Sequence, residues 1–259
     1  MTKIFAIGSS HLAAIKLGWD VIKNDYPNID FSFFGAPAED FYRLQLNEKH
    51  EFGFVGTADL PEDRLDFISR TNGRLSVDLS EADHVLHVGW PIDEQLNAEL
   101  LTNWAIDGFH ANDGARLLSM SAYKAFLSGI INDVLPPAEW RGWTSPRLIF
   151  VPKPRITEGI RGGDSTTVKG WRDLLEAGTA DATKLGLFLD MLVTQFRKSG
   201  IEVVIPPNDV YGASGLIKTE FARSTSSAET GQTKGNDGDH THMNERYGAL
   251  MLRRILDTL

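Results

Sequence analysis

No cysteine occurs in this chain of 259 residues. That absence excludes disulfides, thiolate metal centres and a cysteine nucleophile. Long apolar runs are missing too, and nothing approaches the roughly 18 residues that a membrane span requires. The first ten residues have neither the charged start nor the apolar core of an export signal, and they read as a strand instead. Clusters of lysine and arginine are also lacking. With a formal net charge of -9, the chain offers no basic face of the kind that nucleic-acid binding needs. A nucleotide loop is absent as well. In Gly8-Ser9-Ser10-His11-Leu12-Ala13, serine stands where a Gly-x-Gly-x-x-Gly turn needs its second glycine, and no Walker A pattern occurs. The expectation is a soluble cytoplasmic protein with no nucleic-acid or membrane partner and no cofactor. Its oligomeric state is left open.

What is present is ordinary for a globular protein: 42% hydrophobic and 24% charged residues. The length suffices for a sizeable core. Ile4 to Ile7 is a short apolar run ended by Gly8, as in a buried strand. Leu12, Ile15, Trp19 and Ile22 follow at helical spacing. Ile29 to Phe34, Asp83 to Gly89, Arg147 to Pro152 and Ile201 to Pro206 read as four further strands. Ala111 to Ile131 and Ala182 to Arg197 carry helical patterns, and the apolar spacing from Met243 to Leu256 marks a last amphipathic helix. Strands alternating with helices predict an α/β domain, with a mainly parallel sheet covered on both faces. One domain spanning 1–259 is expected, with three insertions. A hairpin is expected near 52–80, turning at Thr71-Asn72-Gly73. Polar loops are expected near 153–181, a stretch predicted to lack a core of its own, and near 222–238.

In an open parallel sheet, ligand sites form beyond the carboxyl ends of the strands. Gly8-Ser9-Ser10-His11 follows the first strand, and Gly35 and Gly89 follow the second and third. The loop after the last strand leads to Asp239-His240-Thr241-His242-Met243-Asn244. The topology therefore brings the first serines and the last histidine to one rim.

A strand, then Gly-x-Ser, then a helix near the N-terminus, with Asp-x-x-His before a final helix, resembles the SGNH hydrolases, the GDSL esterase superfamily. The resemblance runs through the chain in order, with sharp motifs only at its two ends. It implies a three-layer α/β/α fold with a five-stranded parallel sheet of flavodoxin-like type. It also implies hydrolysis or transfer of an acyl ester through a serine. Gly8-Ser9-Ser10 matches Gly-Asp-Ser, which makes Ser10 the nucleophile, with Ser9 in place of the family's aspartate. His242 becomes the general base and Asp239 the residue that fixes its ring. The chemistry needs this set, because a serine hydroxyl is a weak nucleophile until an imidazole takes its proton.

The family's oxyanion donors are the serine N–H, a glycine N–H after the second strand and an asparagine after the third. Ser10 and Gly35 match the first two. The third block departs from the pattern: Gly89-Trp90-Pro91 has no asparagine, and proline has no N–H. Asn208, after the fifth strand, and Asn97 are the asparagines available to replace it.

Other readings compete. Ser9 or Ser10 could simply cap the first helix. Asp237 and His240 form a second, overlapping Asp-x-x-His. Asp237, Asp239, His240 and His242 together could ligate a metal, but at no established ligand spacing, so none is expected. His11, directly after Ser10, is a candidate pocket residue. His84 and His87 lie three apart on a strand, point to opposite faces and cannot chelate together. Trp140 and Trp143 read as pins for a proline-rich loop. Two functions follow: a serine hydrolase or acyltransferase acting on a small-molecule or carbohydrate acyl ester, or a non-catalytic protein on the same scaffold that binds carbohydrate or another small molecule.

Overall fold

The computed structural model describes residues 1–259 except 56–59, 110–115, 142, 144, 161–165 and 224–238. Its centre is a five-stranded sheet built from β1 (Thr2–Gly8), β2 (Ile29–Gly35), β3 (His84–Trp90), β4 (Arg147–Pro152) and β5 (Glu202–Val203). All neighbours pair in parallel, in the spatial order 5-4-3-1-2. That order is one of the two common windings of a doubly wound sheet, and it places the topological switch point between β1 and β3.

The alternation of side chains along each strand makes two cores. Ile4 and Ala6 of β1, with Leu86 and Val88 of β3, face one layer, formed by α1 (Leu12–Ile22) and the C-terminal helix Glu245–Leu256. Ile7, Val85 and Phe150 face the other layer. There lie α2 (Glu62–Asn72), α3 (Glu94–Asn103), α4 (Met120–Asp133), α5 (Thr166–Glu176) and α6 (Ala182–Lys198), so the C-terminal helix is α7. Among the described residues no helix is long and apolar enough to cross a membrane.

Several expectations need correction. Thr71-Asn72-Gly73 is not a hairpin turn; it ends α2, with Gly73 at φ 69° and its N–H donated to Ser69 O at 2.7 Å. A left-handed glycine serves a tight hairpin and a helix C-terminus equally well. Here Pro61 opens a helical turn and buried Ile68 anchors it. The region from 52 to 80 does hold strands: Glu51–Gly53 pairs with Gln45–Leu46 and with Ser76–Asp78. The helix predicted over 111–131 starts only at Met120, where Ser119 Oγ accepts Ala122 N–H. Before it, Arg116–Leu118 pairs with Trp104–Ile106, and 111–115 lie outside the described residues. The 153–181 stretch is not all loop, since α5 buries Val168, Trp171 and Leu174 in the larger core.

The ends of the chain meet through α1 and α7. Gly18 and Gly248 sit at their crossing with no side chain between the backbones. A Cβ on Gly248 would fall 1.7 Å from Ala14 O, and one on Gly18 would fall 2.3 Å from Ala249 N. Larger residues would force the helices apart. Asn244 sets the start of α7, its Oδ1 accepting the N–H groups of Arg246 and Tyr247.

Gly248→Ala is expected to lower stability by about 1–3 kcal/mol, the range for overpacking a filled interface. Gly186→Ala in α6, where nothing lies within 4 Å of an added Cβ, is expected to raise it by about 0.5–1 kcal/mol through helix propensity. Urea titration of the two variants checks both signs.

Candidate active site

At the exit of β1 the chain turns sharply into α1. Ser9 O accepts Leu12 N–H at 2.9 Å and Ser10 O accepts Ala13 N–H at 3.3 Å, so carbonyls rather than hydroxyls start the helix. No side chain caps α1, and the capping reading of the serines fails. Ser9 is buried with its hydroxyl on Tyr42, whereas Ser10 is exposed on the rim. Gly89, at the exit of β3, has φ 77°, and a Cβ there would lie 3.1 Å from His11 Cβ. The bare backbone lets β3 press against the serine corner.

From the other end of the chain, Asp239–Met243 forms a short strand pairing antiparallel with Ala222–Arg223. It carries His242 to the corner. His242 Nε2 lies 2.9 Å from Ser10 Oγ, and His242 Nδ1 lies 2.7 Å from Asp239 Oδ2. An ionised carboxylate only accepts, so Nδ1 carries the proton and the bare Nε2 accepts the Ser10 hydroxyl. Asp239 Oδ1 accepts from Thr241 N, Thr241 Oγ1 and His242 N. Burial alone would raise the Asp239 pKa, but the hydrogen bonds from His242 and Thr241 outweigh it and hold the carboxyl well below its usual range.

His240 of the competing pair is engaged elsewhere. His240 Nδ1 is bonded to Thr157 Oγ1 at 2.6 Å, and Asp237 lies outside the described residues. No group of metal-ligating side chains occurs among the described residues. His11 stacks on His242 with ring centroids 5.1 Å apart. Burial, aided by the Lys153 charge and by His242, lowers its pKa to about 3. It therefore stays neutral and adds no positive charge beside His242. His87 is also held at about 3, by burial among Phe41, Trp90, Trp140 and Phe150. Trp140 is buried and stacks on Trp143, as pins of their loop.

The oxyanion donors fare differently. The Ser10 N–H has no partner among the described residues. Gly35 N–H, by contrast, donates to Asn72 Oδ1 at 2.9 Å, and Asn72 Nδ2 returns a bond to Gly35 O. The Gly35 amide is thus engaged by the end of α2, a contact hidden in the sequence because Thr71-Asn72-Gly73 reads as a hairpin turn. Asn208 lines a separate cavity with Tyr211 and Thr183, away from Ser10. Asn97 is fully buried in α3, its Oδ1 accepting the Tyr123 hydroxyl at 2.8 Å. Trp90 Nε1 donates to Val134 O, so it too is occupied.

Ser10 and His242 open onto a cavity of about 600 Å³, walled by Tyr42, Ile92, Val134, Ile156 and Trp171 and holding Lys153. A larger cleft of about 800 Å³ lies beside β5, lined by Asp190, Arg197 and Arg254, and holds no nucleophile with a base. Of the two, the smaller is the one lined by the hydrogen-bonded Ser10 and His242. Sequence reasoning missed Tyr42, Lys153 and Trp171, since nothing local marks them; only Lys153, directly after a strand, sits where a rim residue could have been sought.

Taken together, Ser10, His242 and Asp239 form one hydrogen-bonded series at the switch point of a doubly wound sheet. Compared with models of known protein families and with curated proteins, the chain matches none.

The buried histidines make stability pH-dependent. A histidine whose folded pKa is lowered stabilises the fold above its unfolded value near 6.5, and that stability is lost as pH falls toward 3. Between about pH 7 and about pH 5, His87 alone should account for about 2 kcal/mol of lost stability. His87→Phe should be less acid-sensitive by that amount in urea titrations at the two pH values.

Proposed function

We propose that the chain is a serine hydrolase or acyltransferase of the SGNH type, acting on a small acyl ester. One observation carries the reading: the hydrogen-bonded series Ser10 Oγ, His242 Nε2, His242 Nδ1 and Asp239 Oδ2, at 2.9 and 2.7 Å. Such a series has a direct chemical use. His242 takes the Ser10 proton as Oγ attacks the ester carbonyl, and the imidazolium is stabilised by Asp239. Collapse of the tetrahedral intermediate breaks the bond to the alcohol, which leaves with the proton from His242. Water, or a second alcohol, then gives its proton to His242 and bonds to the acyl carbon, and as the acyl–Oγ bond breaks His242 returns the proton to Ser10 Oγ. A small-molecule or carbohydrate ester suits an open cavity of about 600 Å³.

The developing oxyanion finds the Ser10 N–H, while the Gly35 N–H is held by Asn72. Each missing donor costs on the order of 100- to 1,000-fold in turnover, so a slow enzyme is expected. The same observation favours a second reading, a binding protein that keeps the relay without turnover. The two separate cleanly. A fluorophosphonate should label Ser10 in the wild type and not in Ser10→Ala. An intact wild-type protein that resists the label would support the binding protein.

Asp239→Asn should retain the fold but lose roughly 10,000-fold in ester turnover, because the ring would no longer be held in the useful tautomer. Activity within tenfold of wild type would remove Asp239 from the relay.

A further inference from the structure

Lys153 leaves β4 between two prolines, Pro152 and Pro154. Its N–H donates to Trp90 O at 2.8 Å, which fixes it beside the exit of β3. The residue is half-buried and lines the cavity that holds Ser10 and His242. Burial lowers its pKa, and no carboxylate offsets that effect. A surface lysine would normally be hydrated or paired; this one is partly stripped of water and unmatched.

The other charges around the cavity are accounted for. Glu94 is locked to Arg155 through two hydrogen bonds, Arg155 Nε to Oε2 at 2.8 Å and Nη2 to Oε1. Arg155 also donates to Gly215 O and Leu185 O, so its donors face the protein. Asp93 is exposed on the rim. Among the described residues, Lys153 is therefore the cation of this cavity with no anion of its own. Ile92, Ile156 and Trp171 line the same cavity and give it part of its wall as apolar surface, beside which a charge pair is stronger than in water.

We propose that the substrate is an anionic ester, carrying a carboxylate on its acyl or alcohol side, and that Lys153 is the residue that selects it. This rests on the hydrolase reading above and adds the substrate's charge to it. A charge-assisted contact at a half-buried site discriminates by about 10- to 100-fold.

The test compares kcat/KM for 4-nitrophenyl hemisuccinate against 4-nitrophenyl butyrate, and for 4-acetoxybenzoate against its methyl ester. The first pair places the charge on the acyl side and the second on the alcohol side. Wild type should prefer the charged member of one pair by about tenfold or more. Lys153→Met should lower that preference by about 10- to 100-fold, and Lys153→Glu should reverse it. A wild type with no preference in either pair overturns the proposal, as does a Lys153→Met variant that loses equally on charged and neutral esters. The latter would place the ammonium on the oxyanion instead. If no ester is turned over and the fluorophosphonate fails to label Ser10, the hydrolase reading falls. The anion site is then judged by calorimetric binding of succinate. Binding by wild type that weakens in Lys153→Met retains the site, and absent or unaltered binding removes it.

Discussion

Two glycines facing each other across a helix crossing hold this architecture together where it matters. Gly18 of α1 and Gly248 of α7 allow backbone-to-backbone contact. That contact fixes the first and last helices of the chain as one unit. Ser10 sits two residues before α1 and His242 sits three residues before α7. The separation of Ser10 Oγ and His242 Nε2 is thus governed by how closely the helices approach. A crossing loosened by even one methyl group would be felt at the rim, because packed interiors transmit strain rather than absorb it. Gly89 performs the matching task on the other side of the corner, admitting β3 beside His11.

Around the corner the electrostatics are sorted by environment. Asp239 is held ionised by a ring of donors, and His11 is held neutral by burial next to a cation. His242 lies between them, with one nitrogen committed to the carboxylate and the other to the hydroxyl. A neutral His11 ring stacked on His242 restrains the imidazole without competing for its proton. On the hydrolase reading, the weak point is the oxyanion. The helix that braces β2 does so by engaging the Gly35 amide through Asn72. Bracing and donation draw on the same N–H, so that contact sets how fast the chemistry can run.

Much of this was legible in the sequence. The strands showed as short apolar-rich runs ended by glycine or proline, clearest in the central ones, where Val85, Leu86, Ile149 and Phe150 are buried between the two helical layers. Ser10, Asp239 and His242 stood out through Gly-x-Ser and Asp-x-x-His at the two ends of the chain, on a rim that parallel winding defines, although the strand Asp239–Met243 that carries the last two was not visible. What failed to show was whatever depended on contacts between distant segments. Asn-Gly at 72–73 has two uses, and only the packing of Ile68 decides for the helix. Asn208 looked available because it follows the fifth strand, yet the rim is long and it opens onto another cavity. Lys153 drew no notice, since a lysine gains meaning only when its surroundings deny it a partner.

The two ends of the chain deliver one imidazole, in one tautomer, to one hydroxyl. Nitrogen-15 NMR of the histidine rings, at a pH where His242 is neutral, reads this directly. A protonated Nδ1 and a bare Nε2 are expected on His242, with the Nε2 resonance moving when Ser10→Ala removes its donor. A ring protonated on Nε2, or one indifferent to the loss of the Ser10 hydroxyl, would contradict it.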